Sequence, residues 1–237
     1  MGWMMFAAVC AYFIKGLCGF ANTLVFSTIL SFSTNNVNIS PVELVLGLPS
    51  NIMISYKERK SVDWKVCLPL AGLVLLGDIP GILMLKNTDT QVIKEIFGFV
   101  IIAIGLEMLF REYMGSAKKS QILLSVIGVL SGILCGLYGI GALLAAYMGR
   151  VTDNSSAFKG NLCIVFLIDN LFRLVMYSVT GIITVDTLKQ SVILIPSMGL
   201  GLYLGMKGSS FLDEKKIKKL VIIMLILSGI SLIVTLF

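Results

Sequence analysis

The chain has 237 residues, of which 57% are hydrophobic and 14% are charged, and its net charge is +6. Soluble domains carry about 45–50% apolar and about 25% charged residues, so this composition excludes a soluble domain and predicts an all-α polytopic membrane protein in a lipid bilayer. The positive charge agrees with basic cytoplasmic loops and does not indicate a nucleic-acid partner. Histidine, the commonest general base and metal ligand, is absent, so we expect no enzyme activity, no metal and no cofactor.

The first half begins with two apolar segments separated by a glycine-rich break. The segments cover residues 2–18 and 20–32, and the break is Gly-Leu-Cys-Gly-Phe-Ala-Asn at 16–22. Glycine weakens a helix by about 1 kcal/mol relative to alanine, so the cluster predicts an interrupted helix. At membrane depth such an interruption is tolerated only where protein or a wet cavity surrounds it. Polar residues at 33–36 predict a loop after the second segment.

Three further helices are expected in the first half. Ser40 and Pro41 are typical of an N-cap and a first helical position, and Glu43 suits a first turn. Gly77 and Gly81 have the four-residue spacing that allows close packing of two helices. The expected helices run over 40–56, 64–85 and 89–111.

The second half repeats this plan after a polar linker at 112–120. Its break, Gly-Leu-Tyr-Gly-Ile-Gly-Ala at 136–142, lies 120 positions after the first one. Gly128, Gly132 and Gly136 recur at four-residue spacing before it and predict one small-residue packing face. The expected segments are an apolar run over 121–138, a short run to 148, a loop over 150–159, a helix to 177, and helices over 185–206 and 216–237.

The distribution of basic residues predicts that the two halves are inserted in opposite orientations. The connection at 57–65 has four Lys or Arg residues and its counterpart at 177–185 has none, whereas the connection at 206–219 has five. Because basic loops stay in the cytoplasm, this exchange of sides predicts two inverted repeats, over 1–113 and 121–237, in one membrane domain. Their glycine-broken helices, re-entrant or of half length, would meet at the membrane midplane. The chain would form six full spans plus two re-entrant hairpins, or ten helical pieces, with both termini outside.

Two cations lie within apolar segments, where a charge costs about 2.5–3.5 kcal/mol to insert and usually has a partner or a function. Lys15 stands directly before the first break. We expect it either to face an anion held by the amides of the next half-helix or to extend to one membrane surface. Arg173 follows Asp169 by four residues, the spacing of an intrahelical ion pair, so a structural pair is the alternative to substrate binding.

The remaining candidates are acids and neutral polar residues. Asp78, the lone acid in its span, is a candidate for a coupling proton or sodium ion, as is Asp169; the alternative for Asp78 is a position near one helix end. Glu107 precedes Arg111 by four residues and predicts a pair at a helix end. The five cysteines lack metal-ligand spacing and are expected to pack as small hydrophobic residues. The predicted substrate-binding set is Lys15, Gly16, Cys18, Gly19, Asn22, Asn51, Tyr138, Gly139, Gly141, Asn161, Asn170 and Arg173.

The sequence around the two breaks resembles the sulfite exporter TauE/SafE family, also called the toluene-sulfonate uptake permease family. The break at 136–142 is similar to the glycine signature of that family, and the first break matches its first part, with Ala21 and Asn22 at glycine positions. Residues 61–64, Ser-Val-Asp-Trp, are similar to the family's motif after the basic loop, and residues 180–184 are similar to its equivalent in the second repeat. The resemblance implies transport of small sulfur-containing anions such as sulfite or sulfonates.

From the residues alone, the breaks and the cations indicate a secondary transporter that carries a small anion across the cell membrane, expected to be a bacterial inner membrane, by alternating access. A passive anion channel is one alternative. A membrane thiol relay is another, although no cysteine has a counterpart cysteine in the other half. The expected partners are the anion, the bilayer and a coupled proton or sodium ion, and a homo-oligomer is left open.

The opposite orientation of the repeats predicts where three lysines lie. Lys60, Lys119 and Lys216 should react with a membrane-impermeant amine reagent from the cytoplasmic side only, because each belongs to a basic connection. Labelling of right-side-out and inside-out vesicles, followed by peptide mass spectrometry, measures this. Lys60 and Lys216 on opposite faces would contradict the inverted repeat.

Overall fold

The structure is a computed structural model of the whole chain. It describes residues 1–31, 39–87, 121–139, 141–152 and 154–234, together with 99, 102, 103, 106 and 109. These residues are helical apart from short connections, and no strand occurs among them, so the all-α class is confirmed. The expected loop at 33–36, the Glu107–Arg111 pair and the linker at 112–120 lie outside the described residues. Of the expected helix from Asp89, the structure describes only residues 99, 102, 103, 106 and 109, which are helical.

The helix bounds follow the expected segments closely. A short 3₁₀ turn at Arg59–Ser61 occupies the basic connection. The helices of the first half are α1 Gly2–Cys18, α2 Asn22–Ser31, α3 Ile39–Lys57 and α4 Trp64–Asn87. Those of the second half are α5 Gln121–Tyr138, α6 Ala142–Val151, α7 Ser155–Val179, α8 Val185–Ser209 and α9 Glu214–Val234.

Helix lengths separate full spans from shorter pieces. Among the described residues, three helices are long and apolar enough to cross a membrane, over Trp64–Leu83, Ser155–Val179 and Val185–Ser209. By contrast, α2 and α6 have 10 residues each, which is about 15 Å of helix and half of a hydrocarbon core of about 30 Å. Each half therefore contains a helix of half length directly after its break. The inverted orientation of the repeats and a re-entrant path stay predictions.

Both breaks end a helix in the same way. Gly19 has a left-handed φ of 89°, and Gly139 has one of 70°. Gly19 N–H donates to the Lys15 carbonyl at 2.6 Å, and Gly139 N–H donates to the Cys135 carbonyl at 2.8 Å. This is a common helix ending, in which a left-handed residue just beyond the helix returns its N–H to the last turn. The glycines therefore explain why the apolar runs are interrupted at these two points.

Glycines bring two pairs of helices into backbone contact. A Cβ atom added to Gly16 would lie 2.7 Å from the Leu202 carbonyl, so α1 and α8 touch through their main chains. In the same way, Cβ atoms at Gly77 and Gly132 would collide with the main chain of the facing helix, α5 and α4 respectively. The predicted small-residue faces of α4 and α5 are thus confirmed, and they pack against each other.

The two halves interlock through their first and fourth helices. The first helix of one half, α1, packs on the fourth helix of the other, α8; likewise α5 packs on α4. Between these pairs, α3 and α7 pack against each other. The short helix α6 is buried from 142 to 148, consistent with a helix enclosed by protein on all sides. This arrangement brings the two breaks, 120 positions apart in sequence, to opposite sides of one space.

Two local expectations were wrong. Ser40 does not precede the helix as an N-cap, because α3 begins at Ile39, and Glu43 is only 4% exposed. Lys159 is not in a loop: α7 begins at Ser155, where the Asn154 side chain accepts a hydrogen bond from Ala157 N–H, and Lys159 is 5% exposed. Glu43 lies beyond the first turn of α3, and packing against other helices buries both Glu43 and Lys159.

The close contact of α4 with α5 predicts opposite effects for one substitution at two glycines. Gly77→Ala should destabilise the protein by about 1–3 kcal/mol, because the new methyl group meets the Val129 carbonyl. Gly72→Ala on the same helix should stabilise it by up to about 1 kcal/mol, because nothing lies within 4 Å of the added atom. Thermal unfolding of the two variants in detergent measures this, and equal shifts would contradict the packing.

Candidate functional site

One cavity lies between the two glycine breaks. Residues 20–24, at the end of the first break and directly after it, line the cavity together with Gly139, Gly141 and Ala142 of the second break. The space that the centres of water molecules can occupy in this cavity is about 40 Å³, which is enough for about three waters. The charged and polar side chains that line it are Lys15, Asn22, Thr23, Ser40, Glu43, Asn51, Cys135, Asp169, Asn170 and Arg173.

The amino ends of the two half-length helices reach this cavity. The first helical bond of α2 runs from Val25 N–H to the Ala21 carbonyl at 3.1 Å, and that of α6 runs from Ala145 N–H to the Gly141 carbonyl at 3.0 Å. The amides at the start of each helix therefore have no carbonyl partner within it. No side chain caps α6 at Gly141. Such helix ends carry about half a positive charge and favour anions.

Lys15, in the last turn of α1, is buried and lines the cavity. It is 2% exposed, so its side chain does not extend to a membrane surface. Its Nζ lies 5.7 Å from the centre of the Tyr12 ring. Within the described part of the chain, the ammonium has neither a hydrogen bond nor an ion pair. A buried charge without a partner is costly, which favours an anion from outside the chain as its counter-charge.

Arg173 on α7 is held by side chains on two helices. Its Nη1 lies 3.8 Å from Asp169 Oδ2, so the predicted ion pair is confirmed. Its Nη2 donates to Ser40 Oγ at 3.2 Å and to Tyr177 Oη at 3.0 Å. A guanidinium fixed by three partners is a rigid positive charge in the cavity wall, and its Nε has no hydrogen-bond partner among the described residues.

Glu43 on α3 supplies the second carboxyl group of the cavity wall. Its Oε2 accepts hydrogen bonds from Asn22 Nδ2 at 2.6 Å, Tyr12 Oη at 3.3 Å and Thr23 Oγ1 at 3.5 Å. Its Oε1 is buried and has no hydrogen-bond partner among the described residues. No described cation lies within 4.0 Å of this carboxyl group. Glu43 therefore fixes the start of α2 through one oxygen and leaves the other unpaired.

Two hydrogen bonds connect the break regions to other helices. Thr23 Oγ1 in the first turn of α2 donates to the Gly139 carbonyl of the second break at 3.2 Å. Tyr177 Oη, which also contacts Arg173, donates to the Gly136 carbonyl at 3.0 Å. The first bond joins the breaks of the two halves, and the second joins α5 to the arginine network. Hydrogen bonds thus connect α2 to the second break and α7 to α5 at the cavity wall.

A known family matches this chain almost from end to end. The family model described as "Sulfite exporter TauE/SafE" matches residues 4–232. The chain belongs to the sulfite exporter TauE/SafE family. No curated protein and no solved structure matches the chain. The resemblance inferred from the glycine breaks is therefore confirmed, and the chain is a member of a family of membrane transporters.

In this TauE/SafE protein, eight of the residues singled out by the sequence line the cavity. Among them, Asn51 is the clearest candidate to hydrogen-bond a ligand. It is fully buried, and neither its Oδ1 nor its Nδ2 has a hydrogen-bond partner among the described residues. Asn170 lies close against Gly47, where an added Cβ would be 2.7 Å from its Nδ2. The eight residues are Lys15, Asn22, Asn51, Gly139, Gly141, Asp169, Asn170 and Arg173.

Three of the predicted site residues in the first break do not line the cavity. Gly16 packs against α8, as described above. The Cys18 thiol donates to the Ile14 carbonyl at 3.0 Å within its own helix. Gly19 lies against the side chain of Lys159, whose Cγ would be 3.1 Å from an added Cβ. These three positions shape the helix end that carries Lys15.

The other predicted residues lie farther along the chain. Asn161 Oδ1 accepts a hydrogen bond from Asp63 N–H at 2.7 Å, which anchors the connection before α4. Asp78 is fully buried next to α5, outside the cavity lining, and neither carboxyl oxygen has a hydrogen-bond partner among the described residues. The side chain of Tyr138 is outside the described part of the structure. The ion-coupling role of Asp78 and Asp169 stays a prediction.

The TauE/SafE cavity also contains residues that the sequence analysis did not select, notably Glu43 and Ser40. A periodic signal for them exists on α3, where Ser40, Glu43, Gly47 and Asn51 recur at three- or four-residue spacing and all line the cavity. Residues at this spacing share one helix face. A stripe of polar and small residues inside an apolar helix was therefore the signal that could have identified this wall.

The backbone at the first break predicts a stabilising substitution. Ala21 has a φ of 71°, which costs an L-residue about 1–2 kcal/mol and costs glycine nothing in contacts. Ala21→Gly should raise the free energy of unfolding by about 0.5–1 kcal/mol after the greater chain entropy of glycine is subtracted. Ala145→Gly, inside α6, is the matched control and should lower it by about 1 kcal/mol. Thermal unfolding in detergent distinguishes the two, and a destabilised Ala21→Gly variant would contradict the strained turn.

Proposed function

We propose that this protein is a secondary transporter of a small sulfur-containing anion, such as sulfite or a short sulfonate, and that the anion binds in the cavity between the breaks. The observation that carries this proposal is Lys15: a buried ammonium without a partner in the described chain, in a cavity that both breaks line. Family membership supports the class of substrate.

The residues around the cavity suit a compact oxyanion. Lys15 supplies a full charge, Asn51 supplies an N–H donor, and the first turns of α2 and α6 supply main-chain amides. Charge-assisted hydrogen bonds of this kind are about twice as strong as neutral ones. The volume of about 40 Å³ for water centres suits an anion of a few heavy atoms rather than a large aromatic sulfonate.

Alternating access would use the two halves as moving parts. Each half contributes one break. The contact between the two breaks at the cavity includes the hydrogen bond from Thr23 Oγ1 to the Gly139 carbonyl. Separation of the halves on one side of the cavity and closure on the other would move the binding site between the two faces. We place this transport in the cell membrane of a bacterium, with a coupled ion as the driving force. A passive channel would differ by transporting the anion without such coupling.

Removal of the Lys15 charge tests the binding site. Lys15→Met keeps most of the side-chain volume and should weaken the affinity for sulfite or methanesulfonate at least about tenfold, since a hydrogen bond to a charged group contributes about 1.5–3 kcal/mol. Binding to the purified protein by thermal shift, and exchange of radiolabelled sulfite in proteoliposomes, measure the effect. The defect in exchange should be partly relieved at high substrate concentration.

The matched control for this variant is Lys60→Met. Lys60 lies exposed in the 3₁₀ turn of the basic connection and does not line the cavity. Its replacement should leave affinity and exchange at the parent values. Parent-like affinity of Lys15→Met for every anion that the parent binds would remove Lys15 from the site and the main support for this proposal.

A further inference from the structure

The cavity wall has as many carboxyl groups as cations before any substrate enters. Lys15 and Arg173 are opposed by Glu43 and Asp169 in the described lining. A bound anion would add a negative charge to a site that protein encloses, where an uncompensated charge is costly. A proton taken up by one carboxyl group would remove that excess, so the geometry of the carboxyl groups indicates which one takes it.

Asp169 and Glu43 differ in their partners. Asp169 already has the Arg173 guanidinium as its counter-charge, with Oδ2 at 3.8 Å from Nη1. Glu43 has no described cation within 4.0 Å, and its buried Oε1 has no hydrogen-bond partner. Asp78 also has no hydrogen-bond partner among the described residues, but it lies outside the cavity lining and interacts electrostatically with Asp169. Of the described carboxyl groups at the cavity, Glu43 is thus the one without a fixed counter-charge.

Glu43 also lies beside the start of α2, where a bound anion would interact with the helix end and with Lys15. Its Oε2 accepts the 2.6 Å hydrogen bond from Asn22, the first residue of α2. Lys15, which also lines the cavity, attracts Glu43 electrostatically without contacting it. A substrate anion and an ionised Glu43 would therefore compete for the same lysine and the same helix end.

We propose that Glu43 couples protons to transport, by taking up one proton when the anion binds and releasing it when the anion leaves. In this step the Glu43 carboxylate and a proton from the aqueous phase form a neutral carboxylic acid, and no bond to the anion is made. The acid keeps its Oε2 contact with Asn22 and gains a donor at Oε1. This inference rests on the proposed function and names the proton as the coupling ion.

Charged and titratable groups on several helices share the cavity region with Glu43. Tyr12 and Lys15 come from α1, Cys135 comes from α5, and Asp169 and Arg173 come from α7. The residues of α2 at Glu43, Asn22 and Thr23, are neutral, and α8 contributes no titratable residue to the described lining. Because Arg173 is already paired, Lys15 is the cavity cation left to attract Glu43, across a distance longer than an ion pair. An anion that neutralises Lys15 leaves the Glu43 charge without a balance, which is the origin of the coupling.

The test measures protons directly on the purified full-length protein. Methanesulfonate is the probe, because it stays a monoanion across the working pH range, whereas sulfite itself binds a proton near neutral pH. The parent protein in weakly buffered detergent should take up about one proton per anion bound, reported by a pH indicator. Its affinity should then fall by up to about tenfold for each unit that the pH rises above the transition, as linkage requires.

Glu43→Gln is the decisive variant. Glutamine is neutral, like the protonated acid, so the variant should still bind methanesulfonate but without proton uptake and with an affinity that no longer depends on pH. Asp213→Asn is the control, since Asp213 is 80% exposed, and it should behave like the parent. Asp78→Asn and Asp169→Asn run in parallel. Proton uptake that persists in Glu43→Gln would overturn the assignment. So would proton uptake that is lost only in Asp78→Asn or only in Asp169→Asn.

A second variant tests the assignment if Glu43→Gln does not fold. Glu43→Asp keeps a carboxyl group but draws it back from Asn22, so the pH of half-maximal proton uptake should shift; an unchanged pH curve would overturn the assignment to Glu43. The outcomes also separate the two proposals. A parent protein that binds neither sulfite nor any sulfonate would overturn the proposed function. A parent protein that binds methanesulfonate without proton uptake would overturn only the role of Glu43.

Discussion

Main-chain amides that lose their helical partners at the two breaks are the constraint on which the rest of this fold depends. A bilayer cannot satisfy such groups, so protein or a polar cavity must enclose them. The glycine contacts of α1 with α8 and of α4 with α5 bring the helices close enough to do so. The complete burial of α6 from 142 to 148 follows from the same requirement.

The charged side chains on the two sides of the cavity differ in how completely they are paired. Beside the second break, Arg173 is fixed by Asp169, Ser40 and Tyr177. Beside the first break, Lys15 and Glu43 lie in the same wall without an ion pair between them. A fully paired charge gains little from a ligand, whereas an unpaired one gains much. In the proposed mechanism, the anion and the proton therefore act beside the first break, and the fixed arginine network beside the second break shapes the cavity wall.

Much of the fold could be predicted because its signals are local. The apolar run over 121–138 matches α5 at both ends, and the face of Gly128, Gly132 and Gly136 packs as its spacing indicates. The pair of Asp169 and Arg173 forms because residues four apart on a helix are neighbours. The burial of Glu43 and Lys159 could not be predicted, for the opposite reason. Whether a charged residue near a helix start faces solvent or protein depends on which other helix covers it.

By itself, the sequence determined the membrane class, the positions of the helices, the two interruptions and the family, since hydrophobicity, glycine content and motif spacing are properties of neighbouring residues. Only the tertiary structure decided that Lys15, Glu43 and Arg173 share one cavity. They lie on three helices and span 158 positions of the chain. Their proximity results from the packing of α1 on α8 and of α3 on α7, and no local pattern encodes which helices pack together.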